Sequence, residues 1–299
     1  MSNPTKKPLP LIFTNINLMQ VFYDRSSFSE YIDSQKKKDI KIGFAPTMGA
    51  LHAGHISLYK QARKDNDIVI SSIFVNPTQF NNPEDLEKYP RTVEDDIEKL
   101  KNSKLVDAVY IPQVQDIYPD GMERKHYEFG GIENEMEGAA RPGHFDGVGT
   151  VVEELFRQVK PDNAYFGEKD FQQLKIIEKL VEVLNLNINI HGVKIHRESS
   201  GLAMSSRNMR LSETEKEASA VIYETLKKVD DWFRIVSIPE IKNRVNEVFD
   251  RDDMALEYFL IADEETLKEV DFFSKDKNYR AFIVVNVDQV RLIDNMHLK

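Results

Sequence analysis

Apolar and polar positions along this chain fall into short blocks whose period changes. Residues 40–45 and 68–75 are apolar runs rich in β-branched side chains, which predicts two buried strands. Between them residues 56–63 carry helical spacing. Strand, helix, strand in that order predicts a right-handed βαβ unit on a parallel sheet. Residues 28–38 predict an earlier helix that closes on a lysine run, which suits the negative end of a helix dipole. Further on, residues 106–111 predict a third strand and residues 148–159 a helix. Residues 163–170 read as a strand end and turn, with a helix starting near Phe171, and residues 181–195 as that helix's end and one more strand. Beyond His196 the pattern changes. Residues 214–229 and 238–251 predict charged amphipathic helices, and residues 256–261 and 279–287 predict strands that pair with each other. The reading is an α/β domain over residues 1–195 and a smaller α+β domain over residues 196–299.

The polar residues with chemical capacity gather where strands hand over to helices. After the first strand come Pro46, Thr47, Met48, Gly49, Ala50, Leu51, His52, Ala53, Gly54 and His55. Pro46, Gly49 and Gly54 permit a tight turn and close backbone approach to a ligand. A helix N-terminus behind such a turn attracts phosphate through free N–H groups and the dipole. His52 and His55, three apart, face one side; the plainer alternative is that they cap and pack the turn. Asn76 and Gln79 follow the next strand, at the same end of the sheet, which is where ligands of parallel sheets bind. Lys169, beside the Gly167 turn, suits a phosphate partner. Ser205, Ser206 and Arg207 offer two small donors and a fork for phosphate oxygens, though a helix-capping loop contains the same residues. Glu94, Asp95 and Asp96 either stabilise a helix start or include a residue that positions Mg²⁺. Residues 138–147 read as a glycine-rich loop, a lid or a wall, with His144 a loop contact.

Composition narrows the picture. A formal charge of −10 and a pI near 5.3 disfavour a general nucleic-acid binder. There is no cysteine, hence no disulfide, thiolate metal site or cysteine nucleophile. No stretch reaches the length of a membrane span, and the polar, proline-containing residues 1–10 lack the apolar core of a signal peptide. The expectation is a cytoplasmic protein with a flexible N-terminal lead.

The set of motifs resembles the pantothenate synthetase (pantoate–β-alanine ligase) family, within the HIGH-motif nucleotidyltransferases. It comprises the 46–55 turn, Phe74-Val75-Asn76-Pro77-Thr78-Gln79-Phe80, Glu84-Asp85-Leu86 with Tyr89-Pro90-Arg91-Thr92, and Arg141-Pro142-Gly143-His144-Phe145. Gly167-Glu168-Lys169-Asp170-Phe171-Gln172-Gln173, the 201–208 segment and Arg291-Leu292-Ile293-Asp294-Asn295 complete it. The resemblance implies a Rossmann-like ATP- and pantoate-binding domain with a closing C-terminal domain. It implies two steps, formation of pantoyl adenylate from ATP and pantoate, then attack by β-alanine. Met48, Gly49, Ala50, Leu51, His52, Ala53, Gly54 and His55 would cradle ATP, with His55 the proton donor. Gly167, Glu168, Lys169, Asp170 and His196 would line the nucleotide. Met204, Ser205, Ser206 and Arg207 would close over the triphosphate. Gln79 and Gln173, with Asn76, would hold pantoate. Mg²⁺ would accompany ATP near Asp95, and the family is commonly homodimeric. The chain departs from the pattern at Phe171, where Tyr is usual, at Ser200, where Asp is usual, and at Asn81-Asn82.

Competing classes are a nucleotidyltransferase acting on a phosphorylated acceptor, an aminoacyl-tRNA-synthetase-like domain and a non-catalytic nucleotide binder. The acidic balance disfavours tRNA, Gln79 and Gln173 disfavour a phosphate acceptor, and the intact His52, His55, Lys169 and Arg207 disfavour a decayed site. No G-x-x-x-x-G-K-[ST] and no G-x-G-x-x-G after the first strand is present, which disfavours a P-loop kinase and a dinucleotide dehydrogenase.

Overall fold

The computed structural model describes residues 19–299, so the lead expected at residues 1–10 lies outside the described residues. In chain order the first part comprises β1 (Gln20–Phe22), α1 (Arg25–Lys36), β2 (Ile42–Thr47), α2 (Ala53–Asp65), β3 (Ile68–Ile73), α3 (Pro83–Glu87) and α4 (Val93–Ser103). It continues with β4 (Ala108–Tyr110), α5 (Val114–Ile117), α6 (Met136–Ala140), α7 (His144–Val159), β5 (Asn163–Gly167), α8 (Phe171–Val183) and β6 (Asn189–Val193). The six strands form one parallel sheet in the order β1-β4-β3-β2-β5-β6. Side chains alternate across it, as the pleat requires. Ile42, Phe44, Ile68 and Ile70 join a core with α1, α7 and α8, while Ala45, Val69 and Ile73 join Leu58, Tyr59 and Leu100 of α2 and α4 on the other face. Burial on both faces is why these strands read as unbroken apolar runs.

The strand order reverses between β2 and β5. From β2 the chain moves outward through β3 to β4, then returns to place β5 and β6 on the other side. A crevice opens at such a reversal, beyond the carboxyl ends of the strands. The 46–55 turn leaves β2 at that point and the Gly167–Asp170 turn leaves β5 beside it.

The remainder comprises α9 (Glu213–Ala218), α10 (Ala220–Trp232), α11 (Ile238–Val248), β7 (Ala255–Asp263), β8 (Tyr279–Val287) and β9 (Val290–Leu298). The three strands form an antiparallel sheet, β7-β8-β9. α10 and α11 cover one face, burying Ile222, Leu226, Ile241 and Val245 against Ile261, Ile283, Val285 and Leu292. The other face turns Ala262 and Phe282 toward the core of the first domain.

Four elements differ from the sequence reading. β1 is too short, at three residues, to announce itself. β9 alternates apolar and polar residues, and pairs with β8 through a tight turn in which Asp288 takes φ 49°. The helix expected over residues 214–229 divides at Ser219, a buried residue whose hydroxyl donates back to the Glu215 carbonyl at 2.6 Å. The loop expected over residues 138–147 is instead a helix, a short turn at Arg141–Gly143 and the start of α7. Gly147 lies inside α7 because a Cβ there would sit 2.6 Å from the Thr78 carbonyl oxygen.

Candidate active site

The 46–55 turn is built under strain. Gly49 (φ 83°) and Ala50 (φ 49°) both take left-handed backbone, which costs an alanine free energy. Asp96 holds it there. This fully buried carboxylate accepts the N–H of Ala50 at 2.8 Å and of Leu51 at 2.7 Å. From α4, Lys99 adds a bond to the Leu51 carbonyl at 3.0 Å. Of the acidic trio, then, Asp96 serves the site by shaping the turn. Asp95, expected near Mg²⁺, is exposed on α4 and lines neither cavity of the cleft. Among the described residues no group of three His, Cys, Asp or Glu could hold a metal ion.

His52 caps α2 and His55 sits in its first turn, with ring centroids 4.0 Å apart. Nδ1 of His52 accepts the Gly54 N–H at 3.1 Å, and Nδ1 of His55 accepts the His52 N–H at 3.2 Å. A nitrogen that accepts carries no proton, so in both neutral rings the hydrogen resides on Nε2. Burial, then the charges of Lys169 and His196, lowers the His52 pKa to about 4. Burial and the neighbouring His52 and Lys169 hold His55 well below the ordinary histidine range. Both are neutral N–H donors at neutral pH. The expected roles of capping residue and phosphate-facing residue are therefore compatible, since one nitrogen caps and the other is left to donate.

Asn76 is buried and saturated. Its Oδ1 accepts from Tyr118 Oη at 2.6 Å, and its Nδ2 donates to Gln79 Oε1 at 3.1 Å and to the Gly147 carbonyl at 3.2 Å. It orients Gln79 and has no free donor to offer a ligand. The Gln79 carbonyl is held from the 141–144 turn, by Arg141 Nη2 at 3.1 Å and His144 Nδ1 at 2.8 Å. Burial and then Arg141 lower the His144 pKa to about 4, so this ring is neutral with its hydrogen on Nδ1. Gln172 and Gln173 divide the work at the start of α8. Gln172 is buried and bonds the carbonyls of Ile132 and Glu135, both at 2.8 Å. Gln173 lines the cleft.

A cavity of about 260 Å³ brings these groups together. Met48, His52, Gly54, His55, Asn76, Gln79, Gly167, Lys169, Asp170, Gln173, His196, Met204, Ser205, Ser206 and Arg207 all line it. Gly49, Ala50 and Leu51 lie buried beneath the turn and Ala53 is exposed; none of them lines it. Glu168 also turns away, toward Arg280, 3.9 Å distant. A second cavity of about 620 Å³ adjoins the first through Arg141, His144, Lys169, Asp170, Gln173, Ser205 and Arg207, and continues between the two domains. Ser206 donates to the Ala50 carbonyl at 3.1 Å, tying the 204–207 segment to the strained turn. Arg207 pairs with Asp85 at 2.9 Å.

Sequence reasoning assigned no individual role to Asp96, Asp85 or Asn295. Asp96 carried a signal, because it occupies an apolar-face position of α4 with Val93, Ile97 and Leu100. Two of the three departures from the family pattern make definite local contacts. Phe171 lies under the Arg280 guanidinium, 3.8 Å from its ring centre, and Ser200 accepts the Leu202 N–H at 3.4 Å, as an aspartate would.

A parallel sheet with a crevice at its reversal point, paired imidazole donors on a helix N-terminus and a Lys, Ser and Arg set facing them define a nucleotide-phosphate-binding enzyme of the nucleotidyltransferase type. The family model for pantoate-beta-alanine ligase matches residues 20–297. A pantothenate synthetase of Flavobacterium psychrophilum is 50% identical over 94% of this chain and 100% of its own, and one from Bacteroides thetaiotaomicron is 41% identical over 94% and 99%. The crystal structure of pantothenate synthetase from Thermus thermophilus superposes with a TM-score of 0.85 at 36% identity, covering 93% of this chain and 99% of that one. Pantoate-beta-alanine ligase from Francisella tularensis, complexed with beta-gamma ATP and beta-alanine, gives 0.77 at 40% identity, with 93% and 97% covered. The chain belongs to the pantoate–β-alanine ligase family, enzymes that join pantoate to β-alanine at the expense of ATP through a pantoyl adenylate.

Proposed function

We propose that the smaller cavity holds pantoate against the ATP α-phosphate. The observation that carries this reading is the convergence of neutral Nε2–H donors from His52 and His55 with Lys169 and Gln173 on one cavity wall set. Gln79 and Gln173 supply uncharged amides that suit both the hydroxyls and the carboxylate of pantoate. A pantoate carboxylate oxygen attacks the α-phosphorus, the bond to the bridging oxygen breaks, and pyrophosphate leaves. The amine of β-alanine then attacks the acyl carbon, loses a proton and displaces AMP. His52, His55, Lys169, Ser205 and Arg207 neutralise charge that grows on phosphate oxygens in the first step. Nothing in either step asks for a covalent enzyme intermediate. Mg²⁺ enters as part of the nucleotide substrate, held by the phosphates. Residues 196–299 act as the closing domain. The assembly is a homodimer, as is common in the family. A cytoplasmic location accords with the described residues, where no helix is long and apolar enough to cross a membrane.

The test is pyrophosphate release from ATP and Mg²⁺ with D-pantoate, with and without β-alanine. Release that requires pantoate, with pantothenate formed only when β-alanine is added, supports the assignment. Release that ignores pantoate but answers another acid removes the roles given to Gln79 and Gln173.

A further inference from the structure

Lys169 sits on the turn between β5 and α8, and a residue of the other domain bonds that turn. Asn295, buried in β9, donates through Nδ2 to the carbonyls of Glu168 at 2.9 Å and Lys169 at 2.8 Å. Its Oδ1 accepts from Arg280 Nη1 at 2.6 Å, so the amide cannot flip without losing every bond. Arg280 is itself fixed by Glu264 at 2.7 Å and by the Phe171 ring beneath it.

The adjacent residue reaches the other half of the cleft. Successive side chains of a strand point to opposite faces. Asp294 pairs in register with Ile283 and Asn295 with Phe282, and these partners belong to the two different cores. Asp294 accepts two bonds from Arg197, at 2.6 and 2.9 Å. Arg197 also bonds the Gly201 carbonyl at 3.1 Å and bridges Ala203, which fastens the small hairpin that leads into Met204 and Ser205. One dipeptide of β9 therefore anchors Lys169 on one wall and, through Arg197, the hairpin that precedes Ser205 on the other.

We infer that Asn295 is a positioning residue for adenylate formation: it sets the place of Lys169 relative to the serine and arginine donors across the cleft, with Asp294 anchoring those donors from the same strand. The inference rests on the proposed role of Lys169 as a phosphate partner. The physical reason is that charge stabilisation depends on donors already standing where the charge develops, and two carbonyl anchors on one amide leave the Lys169 backbone little freedom.

The experiment compares N295A, N295D, K169A and the K169A/N295A double variant by pantoate-dependent pyrophosphate release from MgATP, with a melting curve for each. N295D keeps the volume and the Arg280 contact but aims a carboxylate oxygen at two carbonyl oxygens, so it tests the same bonds where N295A does not fold. Each single Asn295 variant is expected to lower kcat by roughly 10- to 100-fold. In the K169A background the loss of Asn295 is expected to cost less than about twofold, because Asn295 acts through Lys169. Losses that multiply in the double variant, or Asn295 variants as fast as the unaltered enzyme while K169A is slow, overturn the inference and leave the role of Lys169 standing. Full turnover by K169A removes that role and this inference with it.

Discussion

His55 accepts the backbone N–H of His52 through Nδ1 at 3.2 Å, so the two residues cap one helix and face one cleft together. The arrangement persists only while both rings are neutral, because a protonated Nδ1 cannot accept. This makes acid its weak point. The His52 pKa lies near 4 in the folded protein, and the unfolded value is ordinary, near 6.5. Between these values the unfolded chain binds more protons than the folded one, so stability rises with pH there. Stability is full above about pH 6.5 and is lost as pH falls toward about 4. His144 adds to the loss over the same window and His55 below it as well. Melting temperature measured from pH 8 to pH 4 checks this. A flat profile below pH 6.5 would show that these rings are charged in the fold.

Asp96→Ala leaves the Ala50 and Leu51 N–H groups without their acceptor and the left-handed Ala50 without its restraint. A loss of about 3 kcal/mol or more is expected from two bonds to a buried carboxylate. Asp95→Ala removes an exposed side chain and is expected to change stability by less than about 0.5 kcal/mol. Denaturant unfolding of both variants separates the two acids. Turnover should fall with Asp96→Ala and hold with Asp95→Ala.

Gly147→Ala puts a methyl group 2.6 Å from the Thr78 carbonyl oxygen, a backbone atom that can yield only by moving the Asn76–Gln79 turn. A destabilisation of about 1–3 kcal/mol is expected from such overpacking. The pantoate KM should rise more than the ATP KM, because the turn carries Gln79. Steady-state kinetics with each substrate varied in turn decides it, and equal changes in both would argue against Gln79 as a pantoate residue.

The adjacent glutamines should behave oppositely. Gln173→Ala is expected to leave melting unchanged and raise the pantoate KM roughly tenfold, the worth of one good hydrogen bond. Gln172→Ala strands the Ile132 and Glu135 carbonyls and is expected to lower melting temperature first. Calorimetry beside kinetics distinguishes them.

Asp85 pairs with Arg207 at 2.9 Å and so competes with a phosphate for that guanidinium. On the proposed role of Arg207 as a triphosphate partner, Asp85→Ala removes a competitor and a negative charge from that site. The ATP KM is expected to fall by about two- to fivefold, the worth of a partly buried ion pair. A rise would mean that Asp85 orients Arg207 for the nucleotide.

The periodicity of the chain was enough to read the parallel sheet and the small α+β domain, because strands buried on both faces and amphipathic helices write their environment into local composition. Strand-end position singled out His52, His55, Gln79 and Lys169, while Gln173 and the 204–207 segment were collected by their resemblance to the family's motifs. Residue type alone could not say which of two like neighbours faces the cleft. Asp95 and Asp96, or Gln172 and Gln173, differ only by the rotation of their helix against the sheet, and that rotation is set by packing. Nor could local pattern find Asn295, which meets Lys169 across 126 positions of chain. By itself the sequence determined the donors and the order of the strands' chemistry. The tertiary structure alone decided the protonation of the histidines, through burial, and the alignment of the two walls of the cleft, through one strand whose alternating side chains touch both.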